Sequence, residues 1–272
     1  MLYLCIMKLH FYKYQGTGND FVILDNRNNT FPKENVTLVN FLCDRRFGVG
    51  GDGLMLLENS ENYDFKMVYY NADGNEGSMC GNGGRCLVAF ANQIGVIENE
   101  TTFEAIDGLH HATIDNGIVS LHMIDVNNIN IEDSHSFLDT GSPHHIEFSD
   151  NVSDINIQER GSSIRYGAPY FEEGTNVNFV ETIDDKTIKI RTYERGVEGE
   201  TLSCGTGATA AAIASLVNNK VSQNNIDVFV QGGKVNISFE ENDGRFTNVY
   251  LTGPAQFVFD AIIEVDENFT RK

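Results

Sequence analysis

Two stretches of the chain share one pattern: CGNGGRCLVAFA at residues 80–91 and CGTGATAAAIA at residues 204–214. Both begin with Cys-Gly-x-Gly and continue into an apolar, helix-forming run, and they stand nearly half the chain apart. The pattern predicts two similar halves in which each leading cysteine lies at a helix N-terminus. Unpaired N–H groups and the helix dipole favour anions there, so each thiol should ionise below its free pKa of about 8.5.

The predicted fold class follows from how these helices must be buried. We expect helices at 84–94 and 208–218 that are apolar on nearly all sides, as well as helices at 36–45 and 152–160. Most other segments are short, alternate in polarity and are rich in Val, Ile, Phe and Tyr, which is typical of strands. The sequence therefore predicts an α+β fold of two similar domains, each a curved, mostly antiparallel sheet wrapped around a central helix, with the active site in the cleft between them.

The expected domain boundaries follow the repeat. The first domain should comprise residues 1–123 and be completed by a C-terminal strand at 260–272. The second should comprise residues 124–259. A chain of 272 residues is long enough to bury a core in each half.

Composition excludes several classes of function. The hydrophobic content of 41% is that of a globular protein, and the net charge of −20 is spread along the chain, which argues against nucleic acid and anionic membranes as partners. Five cysteines form neither a disulfide framework nor a zinc-ligand spacing. The N-terminus lacks a signal peptide, and Met7 would make an equally good start, so we expect a cytoplasmic protein.

A pair of activated thiols suits inversion at a carbon that bears an acidic hydrogen. One group removes the proton from one face and the other returns a proton to the opposite face, and the reverse reaction exchanges their roles. A single cysteine at a helix start is more often a small buried hydrophobe. It is the repetition of the whole motif that favours Cys80 and Cys204 as catalytic residues.

Three blocks of the sequence resemble the diaminopimelate epimerase family of cofactor-independent amino-acid racemases. They are YQGTGNDF at 14–21, NADG at 71–74 with the first Cys-Gly-x-Gly motif, and YERG at 193–196 with GET at 199–201 and the second motif. The similarity extends over nearly the whole chain from Lys8 onward. It implies an enzyme that interconverts LL- and meso-diaminopimelate in lysine and peptidoglycan precursor biosynthesis, with no cofactor, no metal and a small-molecule substrate, and a homodimeric assembly.

The resemblance also implies a role for each site residue. Cys80 and Cys204 would be the acid/base pair. Backbone groups at the two helix starts would hold the reacting α-carboxylate; they belong to Gly81, Asn82, Gly205 and Thr206. Polar side chains would bind the substrate, mostly at its distal amino-acid end; these are Asn19, Asn71, Asn176, Glu194 and Arg195. Without the resemblance, we would interpret Glu194 and Arg195 as a surface ion pair. Asn19 and Asn71 would be interpreted as turn residues.

Two positions depart from the family pattern. The family often has Asn-Pro-His where this chain reads GSPHH at 141–145, which makes Ser142 and His144 further candidates for the site. Gly53 stands where some members carry a polar contact residue. Both departures concern substrate contacts and leave the two cysteines in place.

Three other functions compete with this interpretation. A racemase of another amino acid, such as a proline racemase-like enzyme, would share the second motif. A thiol redox protein would use Cys-x2-Cys instead of a repeated turn. A non-catalytic anion-binding module would use the two helix N-termini and would keep its ligand after both cysteines were replaced by serine.

Overall fold

The computed structural model describes residues 6–266 and Phe269. Cys5 and the alternative start at Met1 therefore lie outside the described residues. The same holds for residues 267, 268 and 270–272 of the predicted closing strand.

Four α-helices form within the described residues: α1 (Val36–Cys43), α2 (Gly81–Gln93), α3 (Ile157–Tyr166) and α4 (Gly205–Val217). The strands are β1 (Ile6–Gly16), β2 (Asn19–Asp25), β3 (Gly53–Glu58), β4 (Phe65–Asn71), β5 (Glu100–Ala105), β6 (Gly108–Asp115), β7 (Ile118–His122), β8 (Ile129–Ile131), β9 (Ser136–Asp139), β10 (Pro143–Phe148), β11 (Asn176–Asp184), β12 (Thr187–Glu194), β13 (Gly199–Thr201), β14 (Asn225–Val230), β15 (Gly233–Asn242), β16 (Arg245–Pro254) and β17 (Gln256–Asp266). Across the described part of the chain, no helix is both long enough and apolar enough to span a membrane.

The predicted helix at 152–160 is wrong in its bounds. Residues 152–154 form a single 3-10 turn, and α3 begins only after Asn156. The side chain of Asn156 accepts a hydrogen bond from the backbone N–H of Glu159, which caps the helix at this point. The capping signal overrides the apolar residues that suggested an earlier start.

The first of two compact units comprises residues 1–119 and 254–272. Its strands pair in the order β17, β1, β2, β3, β4, β5, β6, where β2–β3 and β4–β5 are parallel and the other pairs antiparallel. Helix α2 packs against β1, β2, β3 and β6, and residues 81–91 of this helix are all buried. An apolar helix enclosed by its own sheet is therefore the core of this unit.

The second unit comprises residues 120–253 and repeats this layout. Its strands pair in the order β8, β9, β10, β11, β12, β14, β15, β16, where β10–β11 and β12–β14 are parallel, and β13 pairs with β12. Helix α4 packs against β9, β10, β11, β12, β14 and β15 and is buried from Gly207 to Ser215. The predicted α+β class, with two similar sheet-and-helix domains, is confirmed.

The second glycine of each Cys-Gly-x-Gly motif marks a close approach between helix and strand. A Cβ at Gly83 would collide with Cε of Met55, and a Cβ at Gly207 would lie 2.5 Å from Oδ1 of Asn178. Met55 and Asn178 are each the third residue of their strands, β3 and β11. The motif therefore repeats because both helices begin against the same position of an equivalent strand.

Replacing Gly207 with alanine should lower the free energy of unfolding by about 1–3 kcal/mol, because the new methyl group would overpack against Asn178. Urea unfolding measures this change. The control is Gly199→Ala, where the nearest atom to a new Cβ, Oε1 of Gln158, is 3.6 Å away, an ordinary contact. Equal stability of the two variants would contradict the close-approach argument.

Candidate active site

Both cysteines lie immediately before a helix. Cys80 and Cys204 have extended backbone conformations, and neither side chain makes a capping hydrogen bond. The first backbone bonds of the helices run from Gly84 N to Cys80 O (2.7 Å) and from Ala208 N to Cys204 O (2.9 Å). The helices thus begin one turn earlier than predicted, at Gly81 and Gly205. The N–H groups of each first turn point beyond the helix end, where they can bind an anion.

The thiol of Cys80 faces an amide oxygen. Its Sγ lies 3.7 Å from Oδ1 of Asn19, which also accepts a hydrogen bond of 3.2 Å from Nδ2 of Asn82. Nδ2 of Asn19 in turn donates to Oδ2 of Asp52 at 2.7 Å. Because the donor side of Asn19 is held by a carboxylate, its carbonyl oxygen must face the thiol.

Charged residues hold Asp52 in this position. Arg45 bridges Asp52 (2.7 Å) and Asp20 (2.5 Å), and Asp20 also pairs with Lys13 at 2.6 Å. Although burial opposes ionisation, the hydrogen bonds from Arg45 and Lys13 lower the pKa of Asp20 to about 2. Sequence reasoning missed this network; the acidic residue directly after Asn19 in the 14–21 block was its only signal.

The thiol of Cys204 faces a hydroxyl instead. Its Sγ lies 3.5 Å from Oγ1 of Thr206, and the carbonyl oxygen of Thr206 accepts a hydrogen bond of 2.9 Å from Oγ1 of Thr140. Cys204 is buried, whereas Cys80 is partly exposed. The two predicted catalytic residues therefore share a backbone position but differ in their polar neighbours.

His144 is fully buried beside the first turn of α4, next to Asn178. Nδ2 of Asn178 donates to Nδ1 of His144 (3.0 Å) and to the carbonyl oxygen of His145 (3.2 Å), while its Oδ1 accepts from Oγ1 of Thr192. Nδ1 of the imidazole is thus an acceptor, and the proton is on Nε2, which has no hydrogen-bond partner among the described residues. Burial, assisted by the charge of Arg195, lowers the pKa of His144 to about 3, so the ring is neutral.

Asn176 holds together a second polar cluster. Its Nδ2 donates to Oγ of Ser142 (2.8 Å) and to the carbonyl oxygen of Pro143 (3.0 Å), and its Oδ1 accepts from the backbone N–H of Arg195 (2.9 Å). Nη1 of Arg195 donates to the carbonyl oxygen of Glu173 at 2.9 Å, which fixes the guanidinium. The shorter Ser142 is therefore still tied to the cluster through Asn176.

The remaining candidates lie at the ends of equivalent strands. Asn71 ends β4 and Glu194 ends β12. The carbonyl oxygen of Asn71 accepts from the N–H of Gly74, so this residue does occupy a turn. At Gly53, a Cβ would lie 2.5 Å from Cε2 of Tyr69, so the tyrosine ring occupies the space of a side chain there.

The strand registers show that the candidates come from matching positions of the repeat. Phe21 on β2 faces Gly53 on β3, and His144 on β10 faces Asn176 on β11, both in parallel pairs. Counting along each strand then gives three equivalent pairs: Asn19 and Ser142, Gly53 and Asn176, and Asn71 and Glu194. The repeated motif adds two more pairs: Cys80 and Cys204, and Asn82 and Thr206. The two units therefore carry these candidates at matching positions of the repeat.

A family model described as diaminopimelate epimerase matches residues 11–122 and 136–258, most of both units. This chain belongs to the diaminopimelate epimerase family. The resemblance drawn from the three sequence blocks is thus confirmed. The family assignment also makes the chain an isomerase that acts on a small-molecule substrate, as expected from the motifs.

Individual relatives agree with this assignment. A diaminopimelate epimerase of Flavobacterium psychrophilum is 58% identical over 94% of this chain and 100% of its own length. Two solved structures share the fold at low identity. A Bacillus anthracis phenazine biosynthesis protein of the PhzF family has a TM-score of 0.74 at 14% identity, covering 94% of this chain and 99% of its own. A hydroxyproline epimerase from Agrobacterium vitis has a TM-score of 0.68 at 15% identity, covering 96% and 94%.

The buried neutral imidazole predicts a pH-dependent stability. Between pH of about 6.5 and about 3 the unfolded chain binds a proton at His144 that the folded chain does not bind, so this residue lowers the free energy of unfolding as the pH falls. The slope reaches about 1.4 kcal/mol per pH unit. Urea unfolding of the native protein and of His144→Gln in a pH series should therefore show the native protein losing stability relative to the variant on acidification. Parallel curves would show that the ring is protonated in the folded state.

Proposed function

We propose that Cys80 and Cys204 are the acid/base pair with which this chain interconverts LL- and meso-diaminopimelate, a step of lysine biosynthesis. One observation carries the proposal. This chain belongs to the family, and in each of its two units the buried central helix begins at a Cys-Gly-x-Gly motif that places a thiol at the helix N-terminus. The repeated helix start supplies two similar proton carriers, as a reversible inversion requires.

The reaction proceeds by two proton transfers at the α-carbon. The cysteine that is present as thiolate removes the α-proton, and the electron pair left on carbon is delocalised into the carboxylate. The other cysteine, present as thiol, donates its proton to the opposite face, and the configuration is inverted. The first cysteine is then the thiol and the second the thiolate, which is the starting state for the reverse reaction.

The two helix N-termini stabilise the charge that develops in this reaction. The reacting α-carboxylate accepts hydrogen bonds from the first-turn N–H groups, those of Gly81, Asn82, Gly205 and Thr206. These groups are fixed by the close packing at Gly83 and Gly207, so they do not have to reorient as negative charge spreads onto the carboxylate. The proposed reaction uses no metal and no pyridoxal phosphate, because both proton transfers are assigned to thiols.

The substrate carries a second amino-acid group, which the remaining candidates bind. Arg195 is suited to the distal carboxylate because its guanidinium is held in place through Nη1. Glu194 and Asn71 are suited to the distal ammonium, while Asn19, Asn176 and Ser142 line the binding site. His144 offers a neutral Nε2–H donor, since its Nδ1 is already bonded to Asn178.

We include in the proposal a cytoplasmic location and a homodimer. Apolar side chains along β17 support the dimer: Phe257, Val258, Phe259 and Ile262 are all at least 43% exposed. An exposed apolar face of this kind is common where subunits meet.

Replacing either catalytic cysteine should abolish epimerisation, because each thiol serves one face of the α-carbon. Cys80→Ala and Cys204→Ala should both retain the native circular dichroism spectrum, since the change removes little buried volume. Epimerisation is followed by chiral separation of LL- and meso-diaminopimelate. In heavy water, the native enzyme should place solvent deuterium at the α-carbon of the newly formed epimer.

Two results would refute the two-thiol reaction. One is near-native epimerisation by either alanine variant. The other is substantial return of the original hydrogen to the product in single turnovers, which indicates a single base. The control is Cys43→Ala, which alters a buried cysteine whose pKa burial raises to about 12, and this variant should remain active.

Removing the guanidinium of Arg195 should damage recognition of the distal carboxylate. An unpaired carboxylate in a closed site costs at least about 2 kcal/mol, so Arg195→Met should lower kcat/KM for diaminopimelate roughly 30-fold or more. The matched control is Arg160→Met, an exposed arginine paired with Glu147 in the same unit. Equal turnover of proline, alanine and diaminopimelate by the native enzyme would show that the distal end is not recognised.

A further inference from the structure

The 167–174 segment, which follows α3 and precedes β11 in the second unit, holds the side chain of Arg195. Nη1 of Arg195 donates to the carbonyl oxygen of Glu173 at 2.9 Å and to that of Gly174 at 3.4 Å. Within the described part of the chain, the guanidinium makes no other hydrogen bond. The direction in which its remaining donors point therefore depends on where this segment is held.

Tyr170 anchors the segment on the sheet. Its backbone carbonyl oxygen accepts from the N–H of Gly174 at 3.1 Å, which closes one turn of chain between the two residues. Its hydroxyl lies 2.9 Å from Nδ1 of His145 on β10, and its ring stacks on that of Phe137 on β9 with the centroids 5.6 Å apart. The turn that holds Arg195 is thus attached to two strands through one tyrosine.

The hydrogen bonds of His145 have a defined direction. Although burial opposes ionisation, the hydrogen bond from His145 and the charge of Arg160 lower the pKa of Glu147, so this carboxylate can only accept. Nε2 of His145 lies 3.3 Å from Oε1 of Glu147 and is therefore the donor. Burial and the charge of Glu147 raise the pKa of Tyr170 to about 12, so its hydroxyl keeps its proton and donates to Nδ1 of the neutral imidazole. A carboxylate, an imidazole and a hydroxyl thus form one continuous chain that ends at the segment.

A second contact reaches the segment from α3. Nη1 of Arg165 donates to the carbonyl oxygen of Phe171 at 3.3 Å, and the same guanidinium pairs with Glu198 at 3.2 Å. Oε1 of Glu198 in turn accepts from the N–H of Gly196, the residue after Arg195, at 3.1 Å. Because this contact remains when the hydroxyl of Tyr170 is removed, we expect the segment to shift and not to unfold.

The backbone of the segment depends on its anchors. Phe171, directly after Tyr170, has a φ of 47°, a conformation that residues other than glycine seldom adopt. Such a conformation persists only where the surrounding structure holds it. Loss of the bond between Tyr170 and His145 should therefore let the segment relax, and the carbonyl groups that hold Arg195 would move with it.

We propose that Tyr170, held by His145, is a positioning residue for Arg195 and thereby sets how strongly the enzyme recognises the distal carboxylate of its substrate. The inference rests on the proposed function, in which Arg195 binds that carboxylate. In this arrangement Tyr170 and His145 transfer no proton and do not contact substrate. They act through the carbonyl groups of Glu173 and Gly174.

Tyr170→Phe tests the inference, because it keeps the ring and removes only the hydroxyl. With diaminopimelate, KM should rise about 3- to 10-fold, the loss expected for one hydrogen bond, while kcat stays within about twofold of the native value. The same substitution in Arg195→Met should have no further effect, because the two residues act in series. The matched control is Tyr250→Phe, which alters a tyrosine of β16 in the same unit that packs on His122 and should leave both constants unchanged.

Three results would overturn the inference: a Tyr170→Phe variant with native KM, a variant that loses kcat at native KM, and a loss that is equally large in the Arg195→Met background. The last would show that the tyrosine acts on the fold as a whole. If Tyr170→Phe does not fold, His145→Gln, which removes the Nδ1 acceptor and leaves Tyr170 in place, should give the same rise in KM and the same dependence on Arg195. If Arg195→Met keeps the native kcat/KM, the proposed role of Arg195 fails; if it is impaired and Tyr170→Phe is not, this inference alone fails.

Discussion

Close packing between the first turn of each central helix and the strand beside it constrains the rest of each unit. At Gly83 the neighbour is Met55, and at Gly207 it is Asn178, with no room for a side chain at either glycine. This contact fixes where the helix begins relative to the sheet. The same contact therefore fixes the position of the cysteine just before the helix and of the N–H groups in its first turn. The sheet then encloses the helix, because its remaining faces are apolar.

The same scaffold carries different chemistry in its two copies. Around Cys80, Asn19 is held by Asp52 and through it by charged residues. Around Cys204, the corresponding interactions come from hydroxyls and from the neutral pair of Asn178 and His144. The two-thiol inversion that we propose requires similar acid/base groups, of which only one carries the charge at any moment. A repeated backbone with different polar side chains is compatible with both requirements.

The sequence predicted what depends on local signals. The repeated Cys-Gly-x-Gly and the apolar runs after it were enough for the two central helices and the α+β class. Strand β10 was not predicted, because its parallel pairing with β11 joins two segments that α3 separates in the chain. The burial of Arg85, the fifth residue of α2, was missed for the same reason: a charged residue early in a helix is usually solvated, and only the sheet around α2 shows that this one is buried.

The substrate proposed for this chain has two chemically equal ends, so a fully symmetric duplicated fold would have no reason to react at one end and hold the other. The equivalent positions Gly53 and Asn176 break that symmetry. Asn176 uses its amide to tie Ser142 and the backbone of Arg195 together, whereas Gly53 has no side chain and leaves its space to the ring of Tyr69. Under the proposed function, most of the polar side chains for the distal amino-acid group therefore come from the second unit. The two units differ here in a side chain, Gly53 against Asn176, and not in the pairing of their strands. The two copies of the repeat can therefore differ at this position without a change at either helix start.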